Sequence, residues 1–306
     1  MFTSELTLKP ISPFSFDLSA QIFGNGDQQI RFYENGKFSQ IIRIGHKLSL
    51  ATLESSGTVE QPSLRAKLEA CQKISDADKN EAKKILTRLF NLDLDLSKFY
   101  VQIKKDKTLR QITQALRGLR SPTTQTVYES LIDSIIEQQI SLKVATSMER
   151  RIIKKYGEAL TLDGATYYAY PTPSTMAKAT IEDLRNYGLS QRKGEYVKEI
   201  STLVSERKLD LEKFRTYENA KDIVEELDAV RGIGVWTAEL TVIRSMQKWD
   251  AMPADDVGLR RIISRYYCEG KKITSEEAKK IAEPWGKWRG LAAYYFVVAE
   301  LVGLEA

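Results

Sequence analysis

Cysteine and histidine are nearly absent from these 306 residues: Cys71, Cys268 and His46 are all there is. Three such residues, far apart in the chain, cannot assemble a four-thiolate iron–sulfur cluster or a Cys/His zinc site. Both thiols are expected as reduced packing residues. No apolar run nears the roughly 20 residues that span a bilayer. The opening MFTSELTLKPISPFSF has no apolar signal-peptide core. The expectation is therefore a cytoplasmic protein with no membrane partner. Neither sign of charge dominates: 46 Lys and Arg stand against 41 Asp and Glu, a formal net charge of +5. That balance permits a nucleic-acid partner without requiring one. Repeats and low-complexity segments are also missing. What remains is ordinary globular material, 42% hydrophobic and 28% charged, at a length suited to two domains.

The texture changes along the chain. Residues 2–8, 29–32, 38–44 and 47–53 alternate apolar with polar side chains, the period of a half-buried strand. Gly24-Asn25-Gly26-Asp27 and Glu34-Asn35-Gly36-Lys37 are turn signals between them. Residues 63–71 and 76–90 read as helices, the second with Ala82, Ile85, Leu86 and Leu89 on one stripe. Without βαβ spacing this predicts an α+β first domain over residues 1–112, an antiparallel sheet with flanking helices. The remainder, 113–306, reads as almost wholly helical. Helical spacing is found over 126–138, 141–156, 174–179, 181–186, 192–206, 222–229, 235–247, 257–267, 275–282 and 291–302. Bends fall at Pro171-Thr172-Pro173 and Gly270.

One stretch organises the helical part. Residues 227–261 read LDAVRGIGVWTAELTVIRSMQKWDAMPADDVGLRR. A helix ends, the chain turns through Gly232-Ile233-Gly234, and a second helix begins with Val235, Ala238, Leu240, Val242 and Ile243 as its apolar positions. Glycines suit so tight a turn, and the amides left free at the second helix suit a phosphate. Pro253-Ala254-Asp255-Asp256-Val257 follows, with Asp256 22 residues beyond Gly234, and reads as a capped helix start with paired carboxylates.

A phosphate-gripping turn and a carboxylate at that separation resemble the helix-hairpin-helix, Gly/Pro-rich-loop and Asp signature of the base-excision DNA glycosylase superfamily. The wording GIGVWTA followed by PADD is most similar to its 3-methyladenine DNA glycosylase II branch. The superfamily branch with a four-cysteine cluster is excluded by the cysteine count. The resemblance implies a two-lobed helical fold with a cleft, after an N-terminal sheet domain whose opening strand is matched by residues 13–19. It also implies that Asp256 is catalytic. Breaking an N-glycosidic bond passes through an oxocarbenium-like state that a carboxylate stabilises, and the same group can orient water. Asp255 is then a helix cap or a carboxylate aimed elsewhere. Gly232, Gly234 and Trp236 would donate amides to a DNA phosphate. No metal or organic cofactor is implied, only a monovalent cation that family members often hold on carbonyls of this loop.

Trp236 stands where the lyase members of the family carry a nucleophilic lysine; an indole cannot form a Schiff base. It can stack on a cationic alkylated base. Gln139, in the wording EQQIS, aligns with the residue that enters the gap left by a flipped nucleotide; the plainer reading is a polar helix end. In the element Tyr187-Gly188-Leu189-Ser190-Gln191-Arg192-Lys193, Ser190 is read as a helix cap, and Arg192 and Lys193 as facing either phosphate or solvent. Arg244, Arg260 and Arg261 are expected nearer the DNA backbone. The base pocket is assigned to Trp236, Leu240, Val257 and Tyr294, with Tyr295, Phe296, Phe14, Phe16 and Phe23 as further aromatics; Trp285, Trp288 and Arg289 are expected to brace the lobes. The expected protein is a monomer that hydrolyses alkylated purines from damaged double-stranded DNA. A glycosylase for hypoxanthine or oxidised purines, or a non-catalytic hairpin DNA-binding protein, remains the alternative.

Overall fold

The structure is a computed structural model, and it describes residues 1–24 and 26–304. Period-two alternation builds its first region. Strand β1 (Phe2–Leu8) leads to helix α1 (Phe16–Phe23), then to β2 (Arg31–Glu34), β3 (Lys37–Ile44), β4 (Lys47–Ser55) and β5 (Leu64–Ala70). They form one antiparallel sheet in the order β1-β5-β4-β3-β2. The turn over 34–37 is a two-residue hairpin loop, with Asn35 and Gly36 both at positive φ. In the 24–27 turn, Asn25 lies outside the described residues. Three expectations fail in this region. Residues 63–71 are a strand, not a helix: Leu64, Ala66, Leu68 and Ala70 point inward while Arg65 and Lys67 face solvent. Residues 13–19 do not open as a strand either; Ser15 precedes α1, and Phe16 is that helix's first residue. Cys71, just past β5, is exposed and free rather than packed.

Helix α2 (Asp76–Leu89) lays its predicted stripe of Ala82, Ile85, Leu86 and Leu89 on the sheet. Short helices α3 (Ser97–Gln102) and α4 (Lys107–Ala115) lead into the helical part. There α5 (Val127–Glu137) and α6 (Leu142–Tyr156) come first. Next is a small hairpin, β6 (Ala159–Leu162) and β7 (Ala165–Tyr168), in a part of the chain expected to be almost wholly helical and in a segment to which no element was assigned. Its signal was Asp163-Gly164, both at positive φ, between two short apolar runs. The hairpin packs Leu160 and Leu162 on Ile41, Leu48 and Leu50, covering the face of the first sheet that α2 does not.

The chain continues through α7 (Pro173–Lys178), α8 (Ile181–Asn186), α9 (Gln191–Ser205), α10 (Ala220–Asp228), α11 (Val235–Met246), α12 (Val257–Tyr267), α13 (Ser275–Ala282) and α14 (Arg289–Leu301). One hydrophobic cluster runs from Leu8 to Leu92 and holds Phe14, Phe16 and Phe38; a larger one starts at Leu96 and includes Trp285, Tyr295 and Phe296. Between them lies Arg120, fully buried, donating to the carbonyls of Asn91, Ile11 and Pro13. Burial lowers its guanidinium to about 10. Among the described residues no helix is long and apolar enough to cross a membrane.

Candidate active site

Gly232 and Gly234 do different work in the turn between α10 and α11. Gly232 sits at φ +91°, and a Cβ there would lie 2.3 Å from the Tyr196 ring. Gly234 has an ordinary φ of −95° and open space where its Cβ would be. Its hydrogen is therefore not required by the fold. From α4 to α13, each helix except α11 has a side chain at its N-cap that accepts an amide of the first turn. Helix α11 begins on exposed Gly234, and among the described residues no N-cap side chain accepts its orphan amides. The one uncapped helix in the series is the one the sequence assigns to phosphate.

Asp256 is the N-cap of α12. Its Oδ1 accepts the Leu259 amide at 2.7 Å, and its Oδ2 accepts Trp236 Nε1 at 3.0 Å. Two motifs read separately in the sequence thus meet in one hydrogen bond across 20 residues. The carboxylate is gripped at both oxygens and set by the backbone of one helix and the indole of another. Asp255 is exposed and lies 4.0 Å from Arg260, which also donates to the Ala254 carbonyl. It caps nothing; Asp256 does.

The turn after α5 faces the same hairpin. Gln138 Nε2 donates to the Gly232 carbonyl at 3.1 Å and to Thr237 Oγ1 at 3.0 Å. That carbonyl is among those expected for a monovalent cation, so one of its lone pairs is already engaged. Gln139 next to it is exposed and at φ +57°, a left-handed conformation that costs a non-glycine residue. Lys193 does not extend freely into solvent. It is half-buried, and its Nζ donates to the Ile136 and Gln138 carbonyls at 2.8 and 2.6 Å, closing the end of α5. Burial lowers its ammonium. Ser190 caps α9 as expected. Arg244 pairs with both oxygens of Glu137 at 2.8 Å. Arg261 is exposed and 3.5 Å from Glu300.

The proposed pocket residues divide. Trp236, Leu240 and Tyr294 are half-buried and Val257 is 72% exposed. The Tyr294 hydroxyl is buried with no hydrogen-bond partner among the described residues, and desolvation raises its ionisation above the ordinary tyrosine range. Phe14, Phe16, Tyr295 and Phe296 are core residues instead, and Phe23 stacks on Phe38 within the first region. Trp285 braces as expected, its Nε1 donating to Asp106, which also accepts Tyr267. No local pattern points to Glu239, a half-buried carboxylate one turn past Trp236, nor to a second cluster of charged residues. There Arg31, Glu129 and Glu149 line a cavity of about 180 Å³ between β2–β3 and α5–α6. Burial raises Glu129 to about 7, and Asp133 and Glu149 are also raised. That cavity shares no lining residue with the Trp236–Asp256 pair. Among the described residues no cluster of His, Cys, Asp or Glu could hold a metal ion.

The HhH-GPD superfamily of base excision DNA repair proteins matches residues 132–287, just over half of the chain. The chain belongs to that superfamily. The N-terminal domain of 8-oxoguanine DNA glycosylase matches residues 16–131. A DNA-3-methyladenine glycosylase of Bacillus subtilis is 29% identical over 86% of both chains, and DNA-3-methyladenine glycosylase 2 of Escherichia coli is 26% identical over 63% of this chain and 64% of that one. The fold is shared with a 3-methyladenine DNA glycosylase from Archaeoglobus fulgidus (TM-score 0.84, 24% identity, 97% and 99% covered). It is also shared with the 8-oxoguanine glycosylase/lyase of Clostridium acetobutylicum (TM-score 0.75, 20% identity, 97% and 98% covered). The α+β architecture ahead of a helical glycosylase fold is thus as expected, and the chain is a DNA-repair glycosylase by family.

Proposed function

We propose that this glycosylase is monofunctional: it flips an alkylated purine of the 3-methyladenine type out of duplex DNA and hydrolyses its N-glycosidic bond. The observation that carries the reading is the Trp236 Nε1 to Asp256 Oδ2 hydrogen bond. It puts an indole, in place of a nucleophilic amine, directly against the carboxylate. Asp256 then stabilises the positive charge that develops on the sugar as the base departs, and orients the water that replaces it. Held at both oxygens, it need not reorganise as the charge forms. The orphan amides at Gly234 take a phosphate of the lesion strand, while Gln139 fills the gap left in the stack. Trp236, Leu240, Val257 and Tyr294 form the base pocket, and the unpartnered Tyr294 hydroxyl supplies a polar contact there. No metal or organic cofactor enters this chemistry; a monovalent cation on the hairpin carbonyls would stiffen the turn. The protein acts as a monomer.

A second reading has a specific observation behind it. The first region matches the 8-oxoguanine glycosylase N-terminal domain, which favours an oxidised purine released by the same hydrolysis. A non-catalytic DNA-binding protein would need neither Trp236 nor Asp256. One experiment separates the three: release of free base from dimethyl-sulfate-treated duplex and from an 8-oxoguanine duplex, by wild type and by Asp256→Asn. We expect 3-methyladenine release without strand nicking, reduced about 100- to 1000-fold in the variant, as for loss of a comparable electrostatic group. Binding to an abasic-site duplex should persist. Release of 8-oxoguanine alone would favour the second reading. Strand cleavage coupled to release would sink the monofunctional clause.

A further inference from the structure

Three residues past Gln139, helix α6 opens on a stretch that the fold itself does not use. Leu142, Lys143 and Val144 are all exposed, Leu142 by 60% and Val144 by 43%. Lys143 has no hydrogen-bond or ion-pair partner among the described residues. Apolar side chains left in water forgo their burial energy, and a cation at a helix start opposes the macrodipole. Helices α2, α8 and α13 instead place acids in that turn: Asp76 and Asp78, Glu182 and Asp183, Glu276 and Glu277. Helix α6 places none there. Further along it carries Arg150, Arg151, Lys154 and Lys155 against the single acid Glu149, which Arg31 engages at 3.8 Å.

Contacts on both sides fix where this surface lies. Gln138 ties the turn before α6 to the Gly232 hairpin, and Lys193 ties it to α9. Two turns along α6, exposed Arg151 donates to the Ser147 carbonyl at 3.2 Å, and its Nη2 would lie 3.2 Å from a Cβ on Gly188, just ahead of α9. The far end of α6 reaches the first region, where Lys154 lies 2.9 Å from Asp27. The exposed surface therefore starts beside Gln139 and leads from the hairpin toward the first sheet. We infer that it is a ledge for the DNA strand complementary to the lesion: Leu142 and Val144 rest on its sugars, and Lys143 and Arg151 take its phosphates. The assignment rests on the reading above, in which the Gly234 turn holds the lesion strand and Gln139 fills the gap. The helix that leaves the wedge then meets the other strand. Lys143 and Arg151 stand eight residues apart (151 − 143). That is about 12 Å along a helix, an axial length over which one strand of B-DNA carries roughly three phosphates. Leu142 and Val144 have no side-chain hydrogen-bonding group, so the ledge positions the duplex and does not read its sequence.

The test is equilibrium binding to a duplex with a central abasic-site analogue, over a salt series, by wild type, Leu142→Ala, Lys143→Met and Arg151→Met. All three side chains are exposed, so the variants should melt with wild type. Lys143→Met and Arg151→Met should each reduce the slope of log affinity against log salt by about one. Leu142→Ala should bind about fivefold more weakly at every salt concentration with the slope unchanged, because an apolar contact releases no counterions. Neutral methylphosphonate linkages identify the strand. Placed in the complementary strand around the site, they should erase most of the difference between wild type and Lys143→Met; placed in the lesion strand, they should leave it intact. The reverse pattern would overturn the assignment. Wild-type affinity and slope in all three variants would also overturn it, and would give the surface to a protein partner. Wild type that neither binds this duplex nor releases base from dimethyl-sulfate-treated DNA overturns the glycosylase reading itself.

Discussion

The junction at Arg120 and the turn at Gly234 are opposite solutions to the same problem of polar groups without helix or strand partners. At the junction the Asn91, Ile11 and Pro13 carbonyls are all answered by one buried guanidinium. At the turn the first amides of α11 are left unanswered, although the neighbouring helices in the chain, α10 and α12, are both capped. The first arrangement closes the protein on itself. The second leaves room for something outside it. Gln139 at a strained φ and the unpartnered Tyr294 hydroxyl belong to the second kind. If the open side is where the proposed function resides, substitutions should separate it from stability.

The largest effect on stability should come from the closed side. Arg120→Met removes the donor to three carbonyls, of which, among the described residues, only Asn91's keeps another partner, the Leu94 amide, and should cost about 3 kcal/mol, since each buried acceptor left bare costs about 1–3. Urea unfolding would measure it as a lower midpoint at an unchanged m-value. Base release per folded molecule at low temperature should be unaltered. Lost activity in fully folded Arg120→Met would mean that the junction shapes the cleft, and the separation would fail.

The two glycines of the turn sharpen the comparison. Gly232→Ala forces a Cβ into the Tyr196 ring at a positive φ, and should destabilise by about 2 kcal/mol. Gly234→Ala meets nothing in the protein and should leave the unfolding midpoint within about 0.5 kcal/mol of wild type. Its effect should be on DNA instead: weaker binding to an abasic-site duplex, because a methyl group now stands where a phosphate approaches. Equal binding by Gly234→Ala and wild type would remove the turn from the DNA interface.

This division also explains what could be read from the sequence. Local signals carried over well: the hairpin glycines, the Ser190 cap and the stripe on α2 all depend on neighbours within a few residues, whereas the cap of α12 is Asp256 and not the expected Asp255. Residues 64–70 misled because Leu, Arg, Ala, Lys and Glu are good helix formers. What makes them a strand is pairing on both sides, with β1 more than 50 residues earlier and with β4. Lys193 and Arg244 looked like free cations because their partners lie 57 and 107 residues away on α5. Glu239 gave no local sign at all. Its burial raises its carboxyl, and that burial is set by tertiary packing that no spacing in the chain announces.

Gln139 offers the smallest effect and the finest distinction. At φ +57° a glutamine is held in a conformation that costs a side-chain-bearing residue about 1–2 kcal/mol, whereas glycine adopts it freely. Replacing it by glycine also raises the entropy of the unfolded chain, which offsets about half of that gain. Gln139→Gly should therefore stabilise the protein by roughly 0.5 kcal/mol, seen as a small rise in the unfolding midpoint. If Gln139 is only a polar helix end, excision should be unchanged. If it is the side chain that enters the stack, the more stable variant should flip bases poorly. Base release would slow on a well-paired lesion and recover on the same lesion placed opposite a mismatched base, where unstacking costs less. A variant that is both more stable and fully active on paired duplex would show that the strain serves only the turn, and would move the wedge to another residue.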